Sequence, residues 1–180
     1  MEIDYNKDVY MHDDVEFKFT PYIGKHVAID KGFYCTVGDV YIGRYVHIGT
    51  YVTIVGGNGG LKSEFSAHGF NNIMAGARIV CRSDRFDDSG LFGAMIPYHL
   101  KGKQMEGGVV MEEFSNIGTN AIVLPGSILR KGVLLTAGSL LMGDTVEWGV
   151  YKGNPAKLDH VIDGTLIIEY AKQLGYEEQN

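Results

Sequence analysis

The sequence predicts an all-β protein in which short strands wind into a parallel β-helix with three flat sides. Apolar residues recur every six positions, and a small residue follows each of them four positions later. The clearest apolar series is Met111, Ile117, Val123, Leu129, Leu135 and Leu141, and the small residues are Ser115, Ala121, Ser127, Val133 and Ser139. A period of six would spiral around the surface of an α-helix and does not fit the simple alternation of an ordinary strand.

Each six-residue repeat is interpreted as one short strand, and three repeats complete one coil. The apolar residue points to the axis, where successive coils stack at the strand spacing of about 4.8 Å. The small residue lies at a corner, where bulk would clash. Each coil buries its apolar face only against its neighbours, so stability is a sum over stacked repeats. A β-sandwich of short strands is the alternative, but it would not hold so strict a period.

The elements follow in order along a single domain of 180 residues. Residues 1–22 are expected to cover the first coil, and the β-helix is predicted over residues 23–158. Its first three series are Ile23, Ile29 and Cys35, then Ile42, Ile48 and Ile54, then Leu61, Ala67, Ile73 and Ile79. One extra residue separates each series from the next, which fits a corner.

The repeat stops at about residue 82 and resumes at about residue 108. The intervening segment is polar with aromatic residues, and it is predicted to be a loop that leaves the coil. A long excursion from a rigid scaffold is usually functional.

The last segment, residues 159–180, is predicted to be a helical cap. Asp163 can cap a short helix that ends near Leu174, and Leu166 and Tyr170 share its apolar face with Leu174. We expect this helix to cover the open end of the β-helix, because an exposed strand edge invites aggregation.

Composition excludes several classes of partner. The net charge is −6, which argues against nucleic acid, and no segment is long and apolar enough for membrane insertion. The first residues lack the features of a signal peptide. The only cysteines, Cys35 and Cys81, show no metal-binding spacing. We therefore expect a cytoplasmic protein.

Residues 117–141 read IGTNAIVLPGSILRKGVLLTAGSLL, and residues 148–158 read WGVYKGNPAKL. These segments resemble the hexapeptide-repeat acetyltransferases, which have a left-handed β-helix, and above all the galactoside and maltose O-acetyltransferases. The VHIG repeat, the glycine-rich corner and the SD-F segment are similar to acyltransferases of surface-polysaccharide synthesis, such as that of lipopolysaccharide.

This resemblance implies a homotrimer that binds acetyl-CoA in the groove between adjacent subunits and requires no metal. It implies that the sugar acceptor binds near the loop. It also places the coenzyme beside small residues of two neighbouring coils and a lysine that meets its phosphates. In this sequence those residues are Gly118, Thr119, Ala137, Gly138, Ser139 and Lys157. Small residues let the pantetheine arm approach, and backbone amides can bond its two amide groups.

The candidates for general base depend on the loop. The resembling enzymes use a histidine where the chain leaves for the loop, and the corresponding position in the repeat of Ile79 is Asp84. Asp84 is a candidate base, a group that orients the acceptor, or a turn residue.

Histidine is the natural base near neutral pH. His47 ends its repeat in the same phase as Asp84, so regular coils would place both in one column with Ser66, with His47 and Asp84 about 10 Å apart. His47 is therefore the first candidate. If part of residues 60–72 bulges outward, the column fails and His68 becomes the competitor.

Three alternatives remain open. His26, His47 and His68 are evenly spaced, which invites comparison with a zinc carbonic anhydrase of this fold, but they fall at different positions of their repeats and should not converge. The chain could also be a non-catalytic binding module. Within the enzyme interpretation, a sugar hydroxyl is the favoured acceptor and a nucleotide-linked amino sugar is the alternative, because an unprotonated amine needs no base.

Overall fold

The computed structural model describes residues 8–56 and 63–178, which form a stack of short strands. A partial coil holds β1 (Val9–Met11) and β2 (Glu16–Phe17). Coil 1 holds β3 (Tyr22–Ile23), β4 (Val27–Ile29) and β5 (Tyr34–Cys35). Coil 2 holds β6 (Asp39–Arg44), β7 (His47–Ile48) and β8 (Thr53–Val55). Coil 3 holds β9 (Glu64–Gly69), β10 (Asn72–Ile73) and β11 (Arg78–Val80).

The chain then leaves the stack in a hairpin of β12 (Arg82–Asp84) and β13 (Gln104–Glu106). Coil 4 holds β14 (Val109–Met111), β15 (Asn116–Ile117) and β16 (Ile122–Val123). Coil 5 holds β17 (Ile128–Leu129), β18 (Leu134–Leu135) and β19 (Leu140–Leu141). The chain ends with β20 (Gly149–Gly153), β21 (Ala156–Val161) and helix α1 (Thr165–Gln173).

These strands form three parallel sheets, one for each side of the coil. Sheet A contains β1, β4, β7, β10, β15, β18 and β20, with β21 added antiparallel at its end. Sheet B contains β2, β5, β8, β11, β16 and β19. Sheet C contains β3, β6, β9, β14 and β17. Each full coil runs from sheet C to sheet A to sheet B, and the corners are named after the two sheets they join.

The core follows the six-residue period. Ile48 is paired with Ile29 on one side and Ile73 on the other, and all three side chains are fully buried. The corner residues predicted to be small are buried as well, including Ser115 and Ser127. The predicted fold of stacked three-strand coils is confirmed, because both the inward and the corner positions follow from the repeat.

Two predictions about the early repeats need correction. The register pairs Ala67 with Ile42 and Ile79 with Ile54, so no regular repeat intervenes between Ile54 and Ala67. Leu61, which was predicted to start such a repeat, lies outside the described residues. At the N-terminus, β1 and β2 pair in parallel with β4 and β5, so this segment continues the stack as a partial coil.

Aromatic side chains line the C–A corner from end to end, and we call them the aromatic ladder. Its members are His26, Tyr45, Phe70, Phe114 and Trp148, each with a positive φ between 53° and 64°. Neighbouring rings stack with centroids 4.6 to 6.1 Å apart. Such φ values are unfavourable for residues other than glycine, and ring stacking offsets part of that cost.

Helix α1 packs against the side of the coil, where Ala171 and the nearby Tyr176 are buried beside Phe114. The predicted packing face was wrong, because Leu166, Tyr170 and Leu174 are 53 to 60% exposed. The hairpin of β20 and β21, rather than the helix, completes the end of sheet A. Within the described residues, no helix is long and apolar enough to cross a membrane.

Candidate functional site

The residues predicted to bind the coenzyme come together at the A–B corner of coils 4 and 5. Gly138 N–H donates to the Thr119 carbonyl at 2.9 Å, which joins the two coils directly. A Cβ on Gly118 would lie only 2.5 Å from the Ala137 nitrogen, so glycine is required for this close approach. The corner is therefore a smooth ridge of backbone with little side-chain bulk.

The exposed part of this ridge suits an extended ligand that carries amide groups. Thr119, Ala137 and Gly138 are exposed, and the Ala137 N–H has no acceptor among the described residues. Ser139 differs from them, because its side chain is buried. Its hydroxyl accepts a hydrogen bond from Gly153 N–H at 3.0 Å, so it holds the β20–β21 hairpin against the corner.

Lys157 lies on that hairpin, opposite Lys152. The Lys152 ammonium pairs with Asp159 at 2.5 Å, and this contact lowers the pKa of the Asp159 carboxyl. Lys157 is exposed and forms no ion pair with any described residue. The hairpin therefore offers a cation without a protein counter-ion beside the coenzyme corner, as a phosphate contact requires.

The three candidate catalytic residues lie on three different elements. His47 is in sheet A, where its strand neighbours are Ala28 and Asn72. His68 is in sheet C, and Asp84 is in the hairpin that follows sheet B. The predicted column of His47, Ser66 and Asp84 is wrong, because it required a regular repeat at Leu61 that the register does not contain.

His47 forms a pair that the sequence analysis missed. Its Nε2 lies 3.0 Å from Asp30 Oδ2, and both side chains are part-exposed. Asp30 directly follows the inward Ile29, at the A–B corner of coil 1. Because one coil is about eighteen residues, the sequence separation of seventeen residues could have indicated that Asp30 and His47 lie next to each other in adjacent coils. The pair lies on the same edge of sheet A as Gly118, toward the N-terminus.

Asp84 is a half-buried carboxylate at the base of the excursion loop. Its Oδ2 accepts a hydrogen bond from Gly93 N–H at 2.7 Å, and its Oδ1 accepts one from Gln104 Nε2 at 3.2 Å. Gln104 is itself held by Arg82, whose Nε donates to Oε1 at 2.6 Å. These contacts fix the carboxylate while leaving lone pairs available to a ligand.

His68 lines a groove of about 470 Å³ on sheet C and the C–A corner. Lys25 and Arg44 also line it, together with Tyr41, whose ring meets the His68 imidazole edge-on at 6.4 Å. His68 is therefore separated from both His47 and Asp84. In the described residues, no group of three or more side chains could hold a metal ion, and His26, His47 and His68 lie apart.

Comparisons with known proteins reveal one curated relative and several structures of the same fold, while no family model matches. The relative is a dTDP-4-amino-4,6-dideoxy-D-glucose acyltransferase from Escherichia coli, 28% identical over 137 residues, which cover 75% of this chain and 68% of the relative.

Among solved structures, a variant of the N-acyltransferase AntD from Bacillus cereus, in complex with dTDP-4-amino-4,6-dideoxyglucose and coenzyme A, matches with a TM-score of 0.72 at 24% identity. The match covers 93% of this chain and 90% of AntD. A hexapeptide-repeat acetyltransferase from Vibrio cholerae matches with a TM-score of 0.63 at 16% identity, over 82% and 75% of the two chains. The predicted resemblance is thus confirmed at the level of the fold: this chain has the left-handed β-helix of the hexapeptide-repeat acetyltransferases.

Proposed function

We propose that this protein is a coenzyme A-dependent acyltransferase that acylates the amino group of a nucleotide-linked amino sugar, as a cytoplasmic homotrimer. The similarity to a dTDP-amino-sugar acyltransferase over three quarters of the chain supports both the reaction and the acceptor class. A role in surface-polysaccharide synthesis, such as that of lipopolysaccharide, is part of the same proposal, because such polymers are built from nucleotide-linked sugars.

The donor is acetyl-CoA or a related thioester. The ridge of Thr119, Ala137 and Gly138 accommodates the pantetheine arm, and Lys157 meets the phosphates. Coenzyme A is bound in the AntD structures, one of which contains 3-hydroxybutyryl-CoA. The coenzyme supplies the activated acyl group, while the chain supplies a surface that positions it.

The observation that carries the choice of acceptor is Asp84. A carboxylate stands where the resembling O-acetyltransferases carry a histidine base, and the relative acts on an amino sugar. These two facts favour the amino-sugar alternative over the hydroxyl that the sequence analysis preferred. A neutral amine is already nucleophilic, so the site needs a group that orients it more than a group that deprotonates it.

In the reaction, the amine nitrogen attacks the thioester carbonyl carbon and forms the new C–N bond. The C–S bond then breaks, and the electron pair leaves with the sulfur of coenzyme A. The proton lost by the nitrogen passes to that sulfur or to solvent. Asp84 accepts a hydrogen bond from the amine, so the nitrogen lone pair is held toward the carbonyl.

The trimer is proposed because one copy does not bring the two halves of the site together. The coenzyme corner lies at one edge of sheet B, and Asp84 follows the other edge. A side of six residues spans about 20 Å, which exceeds the length of a hydrogen bond several times over. The coenzyme corner of one subunit must therefore meet the loop of the next, as closed threefold symmetry allows.

The test compares two acceptors that differ in one group. Purified protein and acetyl-CoA are incubated with dTDP-4-amino-4,6-dideoxyglucose or with dTDP-6-deoxyglucose, which carries a hydroxyl at the same carbon. We expect release of coenzyme A and an amide product only with the amine. Comparable transfer to the hydroxyl would restore the O-acetyltransferase interpretation. Absence of coenzyme binding would favour a non-catalytic module.

A further inference from the structure

We infer that the A–B corner of coil 3 orients the thioester of the donor, with Asn120 donating to its carbonyl oxygen and Met74 contacting its acyl group. Neither residue has a role in the reaction proposed above. The inference rests on the proposed function, since it needs an acyl-coenzyme A donor on this corner. Three observations support it: the level of the corner along the coil, an amide without a partner, and an exposed thioether.

The level of the reaction follows from the two ends of the proposed site. The hairpin of Lys157 continues sheet A beyond coil 5, and the ridge of Ala137 and Thr119 leads from coil 5 to coil 4. The reacting end of the coenzyme therefore points toward coil 3, about 10 Å from coil 5. Asp84 lies in β12, directly after coil 3. In a threefold ring of coils that stand side by side, rotation preserves height along the axis, so Asp84 of a neighbouring copy also reaches this level.

The corner of coil 3 has a floor of small residues between two larger side chains. Ala75 and Gly76 hold the positions that Thr119 and Asn120 hold in coil 4, and Asn120 N–H donates to the Ala75 carbonyl at 3.0 Å. Met74 lies on the sheet A side of this floor. Asn120 leans over the sheet B side, because a Cβ on Gly76 would collide with Asn120 Oδ1. A thioester on this floor would have one polar and one apolar flank.

Asn120 provides the polar flank. Its φ is 55°, which asparagine tolerates better than most residues, and its exposed side chain forms no hydrogen bond with a described residue. When the amine attacks the thioester, the electron pair of the C=O π bond moves onto the carbonyl oxygen, and it returns when the C–S bond breaks. An amide N–H that bonds this oxygen stabilises the negative charge while it exists. Asn120 Nδ2 offers such a donor at the level of Asp84.

Met74 provides the apolar flank. The register places it between Gly49 and Gly118, which are both buried. A Cβ on Gly49 would lie only 2.9 Å from the Ala75 nitrogen, so that neighbouring position has no room for a side chain. Met74 is 39% exposed, and its Sδ lies 3.9 Å from Thr119 Oγ1, beside the coenzyme ridge. A flexible thioether in this place suits contact with the alkyl part of an acyl group.

The first experiment measures steady-state transfer from acetyl-CoA to dTDP-4-amino-4,6-dideoxyglucose by wild type, Asn120→Gly and Asn120→Asp. Glycine keeps the positive φ without strain, and aspartate keeps the shape but replaces the donor by an acceptor. We expect kcat to fall roughly 100- to 1,000-fold in both variants. The affinity of Asn120→Gly for free coenzyme A should be unchanged, because coenzyme A has no thioester carbonyl. An asparagine with a purely structural role would change the unfolding temperature and leave kcat at the wild-type value.

The second experiment needs no acceptor. Titration calorimetry compares acetyl-CoA and butyryl-CoA on wild type, Met74→Ser, Met74→Leu and the matched control Leu166→Ser. Leu166 is another exposed apolar side chain, on helix α1. Each methylene group buried against the thioether should tighten binding roughly two- to fourfold, so wild type should bind butyryl-CoA more tightly than acetyl-CoA. Met74→Ser should abolish this preference, whereas Met74→Leu and Leu166→Ser should keep it.

The two experiments separate the inference from the proposed function. A wild-type kcat in Asn120→Gly, or a butyryl preference that persists in Met74→Ser, would overturn the inference, while transfer by wild type would leave the proposed function standing. If wild type acylates no acceptor, the proposed function fails. Loss of the butyryl preference in Met74→Ser alone would then support the inference, and its persistence would overturn it.

Discussion

At the residue scale, the A–B corner depends on small side chains. Ala137 is exposed on the ridge of coil 5, where the coenzyme arm is proposed to lie. Ala137→Leu should reduce coenzyme A affinity at least tenfold, because the new side chain would occupy the path of the arm. Its effect on stability should be small, since the residue points to solvent. Titration calorimetry and thermal unfolding would measure the two quantities.

The matched control for this change is Lys31→Leu. Lys31 is exposed at the same corner in coil 1, four coils away, so it receives an identical side chain at an equivalent position. Coenzyme binding should be unaffected by it. Equal losses in both variants would show that a leucine on this corner disturbs the coil itself rather than the coenzyme path.

Asp84 is the residue on which the amine mechanism depends. Asp84→Asn keeps the shape but removes the charge that orients the amine, and its single amide oxygen can accept from Gly93 N–H or from Gln104 Nε2 but not from both. We expect kcat/KM for the amino sugar to fall roughly 10- to 100-fold, with coenzyme A affinity unchanged. Steady-state kinetics with dTDP-4-amino-4,6-dideoxyglucose would measure it.

Asp87→Asn is the control for that variant. Asp87 lies in the same loop, but it accepts a hydrogen bond from Ser89 and forms an ion pair with Arg85. Those contacts lower the pKa of its carboxyl. It should retain activity. If Asp84→Asn is as active as Asp87→Asn, the carboxylate has no part in the reaction and His47 with Asp30 becomes the site to test.

The buried thiols should be unreactive in the folded protein. Burial raises the pKa of Cys35 to about 11 and that of Cys81 to about 12, from 9.0. Because the thiolate is the reactive form, a disulfide reagent at pH 8 should label both thiols slowly in native protein and rapidly in urea. Rapid labelling of native protein would contradict this burial.

The same shifts predict the sign of a pH effect on stability. Both pKa values are raised by folding, so their stabilising contribution is complete below pH 9. It is lost as pH rises through about 11 for Cys35 and about 12 for Cys81. As pH rises above 9, the free energy of unfolding should therefore fall less in the alanine variants of the two residues than in wild type. Urea titrations at several pH values would measure it.

At the element scale, helix α1 is attached to the coil by side chains other than those of the apolar face that the sequence predicts. Tyr176 is buried, and its ring meets Phe70 and Phe114 edge-on, at 5.7 and 4.9 Å between centroids. Lys131 lies 5.5 Å from the centre of the same ring and forms an ion pair with Glu178. The C-terminal segment is thus held to the aromatic ladder by Tyr176, together with the buried Ala171 and the partly buried Ile168 of helix α1.

Tyr176→Ala should release α1 from the ladder. Hydrogen exchange across Thr165–Gln173 should accelerate strongly, because the helix is too short to persist without tertiary contacts. The coils themselves should stay protected. Tyr170→Ala is the matched control, since Tyr170 is on the same helix and 60% exposed. Equal exchange in both variants would mean that Tyr176 does not anchor the helix.

At the scale of the whole molecule, the proposed active site is shared between copies. We therefore expect a trimer of 19.8 kDa chains in light scattering, and complementation between inactive variants. Asp84→Asn and Ala137→Leu each damage a different half of the site. In a random mixture of the two chains, about a quarter of all sites would combine two intact halves, because about three quarters of the trimers are mixed and each mixed trimer has one such site in three.

Co-expression of the two variants tests this arrangement. Activity of the mixture should recover to about a quarter of the wild-type value, while each variant alone remains impaired. If mixed trimers form but activity does not recover, both halves of the site belong to one subunit. A monomer in solution would contradict the shared site altogether.

The six-residue period was enough to predict the fold and to assign the residues of the proposed coenzyme corner to neighbouring coils. The period of six specified which side chains face the axis, so the spacing alone was enough to place Ile29, Ile48 and Ile117 in the core. The same period put Gly118 and Ala137 at equivalent corners of successive coils. These inferences succeed because a β-helix is built from local repeats that contact only their neighbours, and spacing along the chain then translates directly into position.

The register between distant repeats, in contrast, became clear only from the folded coil. The pairing of Ala67 with Ile42 separated His47 from Asp84, the outcome that the sequence analysis had left open as an irregularity within residues 60–72. The burial of Tyr176 rather than Tyr170 depends in turn on how the C-terminal segment packs against the coil. The physical reason is that one inserted or omitted repeat costs little locally, yet it turns every later residue onto another side of the coil.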